Sequence, residues 1–314
     1  MSAEPRAAVD VVIVTADTRE LTLACLATLE DPAVASITVV DNGSSDGTAA
    51  AIRERFHAAD VIELERPSGF AFACNRGAEV GSAPHVLFLN SDTLAVDDAV
   101  STLAWTLAHH ADAVAAGGRL VDPDRLETQD RYGPQRFPTL PALAVRFSGL
   151  EQRWPRNPVT APYVRHPLGE QATVEVDQPA GACLLVRRAD FEAVGGFDEQ
   201  YWFWYEDVDL ARRLHERGRV LHVPAAVFRH LGGETFKQWD REQGTRSMFH
   251  GALRYAEQHF SRPRQVAFAL LVVAVSAARV VRLARREPAQ ARVHRAVLGA
   301  ALALLAGRPV PSLV

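Results

Sequence analysis

Residues 201–214, YWFWYEDVDLARRL, set five consecutive aromatic side chains directly before Glu206, Asp207 and Asp209. A carboxylate beside apolar rings loses hydration, which disfavours its charged form and makes it a stronger base. Such a group can take the proton of a hydroxyl nucleophile. Other acids stand where strands are predicted to end: Asp41 after SITVV (36–40) and Asp92 after HVLFL (85–89). In open α/β sheets ligands gather beyond the carboxyl ends of the strands. Acids converging on one sheet edge repel each other unless a cation or a ligand's donors satisfy them. A divalent ion with oxygen ligands and one imidazole resolves that repulsion. His230, just after AVFR, is the imidazole at the right place in the chain.

Each residue also has an ordinary structural role open to it. Asp41 and Asp92 can shape turns through their side chains. Glu206 and Asp207 can complement a helix N-terminus, where acids are favoured by about 0.3–1 kcal/mol. His230 can be a satisfied core histidine, and Asp209 is assigned to structure. The argument for a site is the constellation, because four separate accidents at one edge are less probable than one pocket.

The elements that must position these residues alternate. VDVVIV (9–14), SITVV (36–40), DVIEL (60–64), HVLFL (85–89) and AVAAGG (113–118) read as strands. Helical runs at 18–30, 48–56, 70–80 and 96–110 separate them. Alternation of this kind predicts a mostly parallel sheet flanked by helices. Turn formers crowd DNGSSDGT (41–48), with Ser45 or Asp46 as the cap of the next helix. Residues 119–170 hold eight of the 18 prolines and read as a long connection. Strands return at 172–176 and 181–188. The aromatic-acidic stretch then opens a helix that runs to Gly218, read as its C-cap. Strands RVLHV and AVFRH follow.

The chain has 314 residues and a formal net charge of -4. From Arg262 onward nine arginines face one acid, Glu287, a surplus of eight positive charges; the rest carries about -12, from 25 basic and 37 acidic residues. An acidic body with a basic tail argues against nucleic acid as a partner and fits a tail on an anionic membrane surface. VAFALLVVAVSAARVV (266–281) counts sixteen residues, short of the ~20 that span a bilayer. It reads first as a surface-lying helix, second as a core or dimer-packing helix, which leaves a homo-oligomer open, and third as a spanning helix. Three scattered cysteines without ligand spacing fit a reducing compartment, and MSAEPRAAVD has no apolar signal core. The expected location is the cytoplasm, peripheral at the inner face of the cell membrane. Neither G-x-G-x-x-G nor G-x-x-x-x-G-K-[ST] occurs, which argues against dehydrogenase and P-loop readings.

The ordered set VVIVT, VVDNGSSDGT, GFAFACNRG, LFLNSDT, GACLLVRR, GGFDEQYWFWYEDVDLARRL and FRHLGG resembles the family 2 glycosyltransferases over roughly residues 9–235. Within that family it is most similar to bacterial rhamnosyltransferase-type members. The resemblance implies a GT-A fold: a Rossmann-like, mostly parallel sheet over residues 1–240, with a donor half at about 9–118 and an acceptor half at about 170–235. A helical, basic extension follows over 241–314. It implies transfer of a sugar, with inversion, from a dTDP- or UDP-sugar to a hydroxyl of a glycan or polyprenyl-linked acceptor.

By position, the resemblance implies that Thr15 and Asp41 meet the base and ribose and that Gly69 and Asn75 lie near the diphosphate. Arg66 stands near the place of the family's usual Asn and serves the diphosphate instead. Ser91 belongs to the nucleotide-binding set. Asp92 binds Mg2+ or Mn2+, with His230 as a further metal ligand or a diphosphate contact. Asp207 is the general base, Glu206 supports it or contacts the acceptor, and Ala180, Gly181 and Ala182 line the acceptor side. The chain departs from the family at Ala16-Asp17, where an aromatic is usual, and at Asn90, where many relatives have Asp. The competing readings are a sugar nucleotidyltransferase and a non-catalytic nucleotide-sugar-binding partner of a membrane assembly.

Overall fold

Val9, Val11 and Ile13 face one apolar cluster and Val12 faces another, so the first strand is covered on both sides. Such strands read as unbroken hydrophobic runs rather than alternating ones. The structure is a computed structural model and describes residues 8–124, 127–129, 132–160, 172–233 and 240–312. Its strands are β1 (Val9–Thr15), β2 (Val34–Asp41), β3 (Ala59–Glu63), β4 (His85–Asn90), β5 (Thr93–Ala95), β6 (Ala113–Val121), β7 (Val174–Glu175), β8 (Cys183–Arg187) and β9 (Arg219–His230). Its helices are α1 (Arg19–Ala27), α2 (Thr48–Arg55), α3 (Phe70–Ala78), α4 (Ala99–His109), α5 (Leu140–Ser148), α6 (Leu150–Arg153), α7 (Arg188–Ala193), α8 (Glu206–Leu214), α9 (Arg241–His259), α10 (Arg262–Leu283) and α11 (Pro288–Leu305).

The chain divides into two compact units. The first comprises Met1–Arg136, Val164–Asp198 and Asp207–Lys237. All nine strands form one sheet in the order β3-β2-β1-β4-β8-β6-β9-β5, with β7 also on β9. The pairs β3/β2, β2/β1 and β1/β4 are parallel, as the βα alternation predicts. Beyond β4 the sheet is mixed: β8 runs antiparallel to β4 and β6, β9 is parallel to β6, and β5 is antiparallel to β9. RVLHV and AVFRH are not two strands but one, interrupted where Gly118 and Arg119 of β6 face Val223 and Val227. Pro224 falls in that bulge, where a missing N–H leaves no ladder bond unmade. Gly218 is not a left-handed cap either. The helix ends at Leu214, and a Cβ on Gly218 would lie 2.7 Å from the Asp112 carbonyl oxygen, so glycine serves a close approach there.

The second unit comprises Phe137–Tyr163, Glu199–Glu206 and Gln238–Val314. The basic extension is therefore helical, as expected, but shares its unit with part of the proline-rich connection and with the aromatic run. Arg262 donates to the carbonyls of Leu304 and Leu305 at the end of α11, and Gln265 donates to those of Glu257 and Phe260 at the end of α9. These side chains satisfy carbonyls that a helix C-terminus leaves open. The helix α10 spans 22 residues, not sixteen, and is long and apolar enough to cross a membrane. Phe268, Ala269, Val272 and Ser276 form its buried stripe, whereas Leu270 and Val281 are exposed.

Candidate active site

The loops after β1 and β2 are tied together by their own polar side chains. Asp41, buried at the end of β2, accepts from the Ser44 N–H at 2.8 Å, so it does shape its turn. Ser44 Oγ accepts from the Asp17 N–H, and Asp17 Oδ1 accepts from the Ser45 N–H and hydroxyl. Asp46 accepts from the N–H groups of Thr48 and Arg19, which stitches α2 to the start of α1. Gly47, in the left-handed region, occupies the N-cap position expected for Ser45 or Asp46. Asn42 Oδ1 accepts from the Ser68 N–H, bringing the Arg66–Gly69 loop beside the Asp41 loop. Gly69 itself has φ +86° and starts α3.

Thr15 is buried, and its hydroxyl joins those of Thr18 at 2.9 Å and Thr22 at 2.7 Å. Thr18 in turn meets Ser91 Oγ at 3.1 Å. A chain of hydroxyls thus runs from the end of β1 to the residue beside Asp92. Asn75 does something else: its amide donates to the Phe197 carbonyl and accepts from the Phe197 N–H, both at 2.9 Å. It is a clamp on the Gly196-Phe197 backbone.

Asp92 and His230 meet because β5 pairs with the end of β9, placing Thr93 opposite His230. The Leu231 N–H donates to the Asp92 carbonyl, and His230 Nε2 lies 3.5 Å from Asp92 Oδ1. Both residues are buried. His230 Nδ1 meets Gln129 Oε1 at 3.1 Å, and Gln129 Nε2 donates to the His230 carbonyl at 2.7 Å. His230 Nε2 is a buried nitrogen without a hydrogen bond. Among the described residues no three His, Cys, Asp or Glu converge, so those residues offer two donors here, Asp92 and His230. A carboxylate and an imidazole suit a divalent ion whose other positions go to ligand oxygens and water.

Asp207 heads α8 after a strained turn. Trp204 and Tyr205 both have left-handed backbones, at φ +66° and +71°, which for large side chains costs on the order of 1–3 kcal/mol each. Their unit holds that turn: Tyr201 donates to Gln258 at 2.6 Å, the Tyr205 ring packs on Tyr255, and a Cβ on Gly251 would lie 2.6 Å from the Trp204 carbonyl. Glu206 is buried at the head of the same helix. Burial pushes the Asp207 carboxyl pKa up, against the opposing N–H groups of Val208 and Gly181. A Cβ on Gly181 would stand 2.6 Å from Asp207 Oδ2, so the carboxylate occupies the space that a side chain would take. Next to Gly181, the Ala182 carbonyl accepts from the Asn90 N–H. Asp207 therefore sits by the end of β4, two residues before Asp92 in the chain.

The sheet edge thus gathers Thr15, Ser91, Asp92, Asp207 and His230, with the Asp41 and Arg66–Gly69 loops alongside. Gln129 gives no signal in the sequence, since it lies in an aperiodic, proline-rich stretch. Gly181 gave one, as a small residue among small residues, but its neighbour was not legible.

Residues 10–160 match the model described as Glycosyl transferase family 2, and residues 171–232 match the one described as N-terminal domain of galactosyltransferase. The chain is 33% identical over 209 residues to an N-acetylglucosaminyl-diphospho-decaprenol L-rhamnosyltransferase of Mycobacterium tuberculosis, covering 62% of this chain and 66% of that protein. It is 31% identical over 144 residues to the rhamnosyltransferase WbbL of Escherichia coli, covering 45% of this chain and 50% of that one. The mannosyltransferase PcManGT of Pyrobaculum calidifontis, solved with GDP-Man and Mn2+, superposes with a TM-score of 0.54 at 19% identity, covering 96% of this chain and 81% of that one. At that identity the likeness speaks for the fold. The motifs, the sheet that carries them and relatives about one third identical agree, and residues 10–160 form a glycosyl transferase family 2 domain.

Proposed function

We propose that the chain is an inverting glycosyltransferase of cell-wall or surface polysaccharide synthesis. It moves a sugar, L-rhamnose by analogy with the two named relatives, from a nucleoside-diphosphate sugar to a hydroxyl of a glycan or polyprenyl-linked acceptor. The observation that carries the reading is the buried Asp92–His230 pair, with His230 Nε2 left for a ligand, on the edge that also holds Asp207.

Asp207 takes the proton of the acceptor hydroxyl while that oxygen bonds to the anomeric carbon, opposite the leaving group. The bond from that carbon to the phosphate oxygen breaks, and its electron pair leaves with the nucleoside diphosphate. Burial suits Asp207 to this, since a raised carboxyl pKa makes a better base. Glu206 supports the head of the helix that carries Asp207. Thr15 and Asp41 hold the loops that receive ribose and base, with Arg66, Gly69 and Ser91 toward the diphosphate. Asn75 acts on this side through its clamp on Phe197. Asp92 and His230 would hold Mg2+ or Mn2+, which would supply charge stabilisation for the departing diphosphate.

A panel of dTDP- and UDP-sugars, screened by thermal shift with and without Mn2+, tests the reading. One donor should raise the melting temperature selectively, through mass action on the native state, and only with Mn2+. The variant Asp92→Ala should lose that shift. No selective donor, or an unchanged shift in Asp92→Ala, counts against the proposal.

The proposed location is peripheral, at the inner face of the cell membrane. The uncovered apolar residues of α10 and the arginines at 282, 285 and 286 support it. Replacing those three arginines with Glu should move the chain from anionic vesicles into the supernatant. Undiminished vesicle binding places the attachment elsewhere.

A further inference from the structure

We infer that Gln129 is a positioning residue that fixes His230 in the one tautomer able to ligate a cation beside Asp92. The inference rests on the proposed cation site. Gln129 bonds His230 twice, through Nε2 to the backbone carbonyl at 2.7 Å and through Oε1 to ring Nδ1 at 3.1 Å. The amide cannot be turned over, because its oxygen would then face the carbonyl oxygen at that distance, two acceptors without a proton between them. With the amide so fixed, Oε1 only accepts, and Nδ1 must carry the hydrogen. A neutral imidazole then has its lone pair on Nε2, the nitrogen 3.5 Å from Asp92 Oδ1 that makes no hydrogen bond.

The surroundings hold this arrangement. The Gln129 N–H donates to the Leu120 carbonyl of β6, which anchors its segment to the sheet. The Tyr132 ring stands edge-on to the imidazole, with centroids 4.7 Å apart and planes at 89°. Gly232 lets that ring approach, since a Cβ there would lie 2.7 Å from it. Partners of this kind fix the tautomer and orientation of ligating histidines, and their loss typically costs about 10–100-fold in metal affinity.

The test uses the full chain, substitutions at Gln129 and Asp92, and two readouts. Mn2+ binding is followed by electron paramagnetic resonance, and the His230 tautomer by long-range proton–nitrogen NMR without metal, assigned with His230→Gln. Wild type should carry its imidazole hydrogen on Nδ1. Gln129→Ala and Gln129→Met should populate both tautomers and bind Mn2+ about 10–100-fold more weakly. The Met variant, close in length to Gln, decides the matter if Ala does not fold. Wild-type tautomer and affinity in Gln129→Ala or Gln129→Met would overturn the inference alone. Equal Mn2+ affinity in wild type and Asp92→Ala would overturn the cation site, and the inference with it.

Discussion

Asp207 and Asp209 lie two residues apart on α8 and are held in opposite ways. Asp209 is buried, and Arg213 grips its Oδ2 through Nε at 2.9 Å and Nη2 at 2.6 Å. The same guanidinium donates to the carbonyls of Val194 and Gly196. Asp207 has the Val208 N–H at 2.8 Å and the Gly181 N–H, with glycine's missing side chain beside it. A guanidinium anchors the first carboxylate, whereas backbone donors orient the second and burial pushes its pKa up. One helical turn therefore supplies both an anchor and the acid proposed as the base. What separates them is the partner, not the residue type or the neighbouring sequence.

The sharpest way to break this contrast is to remove each carboxylate's charge in turn. Asp207→Asn should lower the transfer rate by about 10²–10⁴-fold while the chain stays folded and binds donor. Asp209→Asn should instead lower stability, by about 3–5 kcal/mol, because it strands the Arg213 charge. Rates alongside denaturant melts separate the two, and full turnover by Asp207→Asn ends the role proposed for it.

A smaller effect is expected from Gly181→Ala. Its new Cβ would force the Asp207 carboxylate aside, and a shift of about 1 Å in a reacting group can cost 10²-fold. The loss should fall on kcat, with donor affinity unchanged. An unaltered kcat means that the close approach does not position the base.

The smallest effect sharpens the comparison through pH. With its carboxyl raised by burial, Asp207 binds its proton more tightly in the folded chain than in the unfolded one. Wild type therefore loses stability as pH rises from the ordinary carboxylate range through that raised value. Asp207→Asn escapes this loss, so it should melt a few degrees higher than wild type at neutral pH, on the scale of ~2–4 °C per kcal/mol. The gap should close in acid. A constant gap across pH excludes the ionisation of Asp207 as its cause.

The parallel half of the sheet could be read from the chain because its signals are local. Each buried strand is a continuous apolar run, and each following turn is spelled in Gly, Asn, Asp and Ser, as at 41–48. The mixed half was harder. No local pattern says that β8 will insert antiparallel between β4 and β6, or that Pro224 marks a bulge within one long strand. The same limit applied to the second unit. The apolar run at 266–281 and the extension over 241–314 were read as helical, but not their sharing a unit with residues 137–163 and 199–206.

The sequence by itself determined which residues have the chemistry: the acids at strand ends, the histidine after AVFR, and the carboxylates behind the aromatic run. Tertiary structure decided their partners. It set Asp92 against His230 through the β5/β9 pairing, Asp207 against the bare face of Gly181, and Gln129 on the imidazole from a segment about a hundred residues away. The physical reason is that residue type and spacing control local conformation, while basicity, tautomer and ligand geometry depend on groups within a few ångströms. Those groups come from distant parts of the chain.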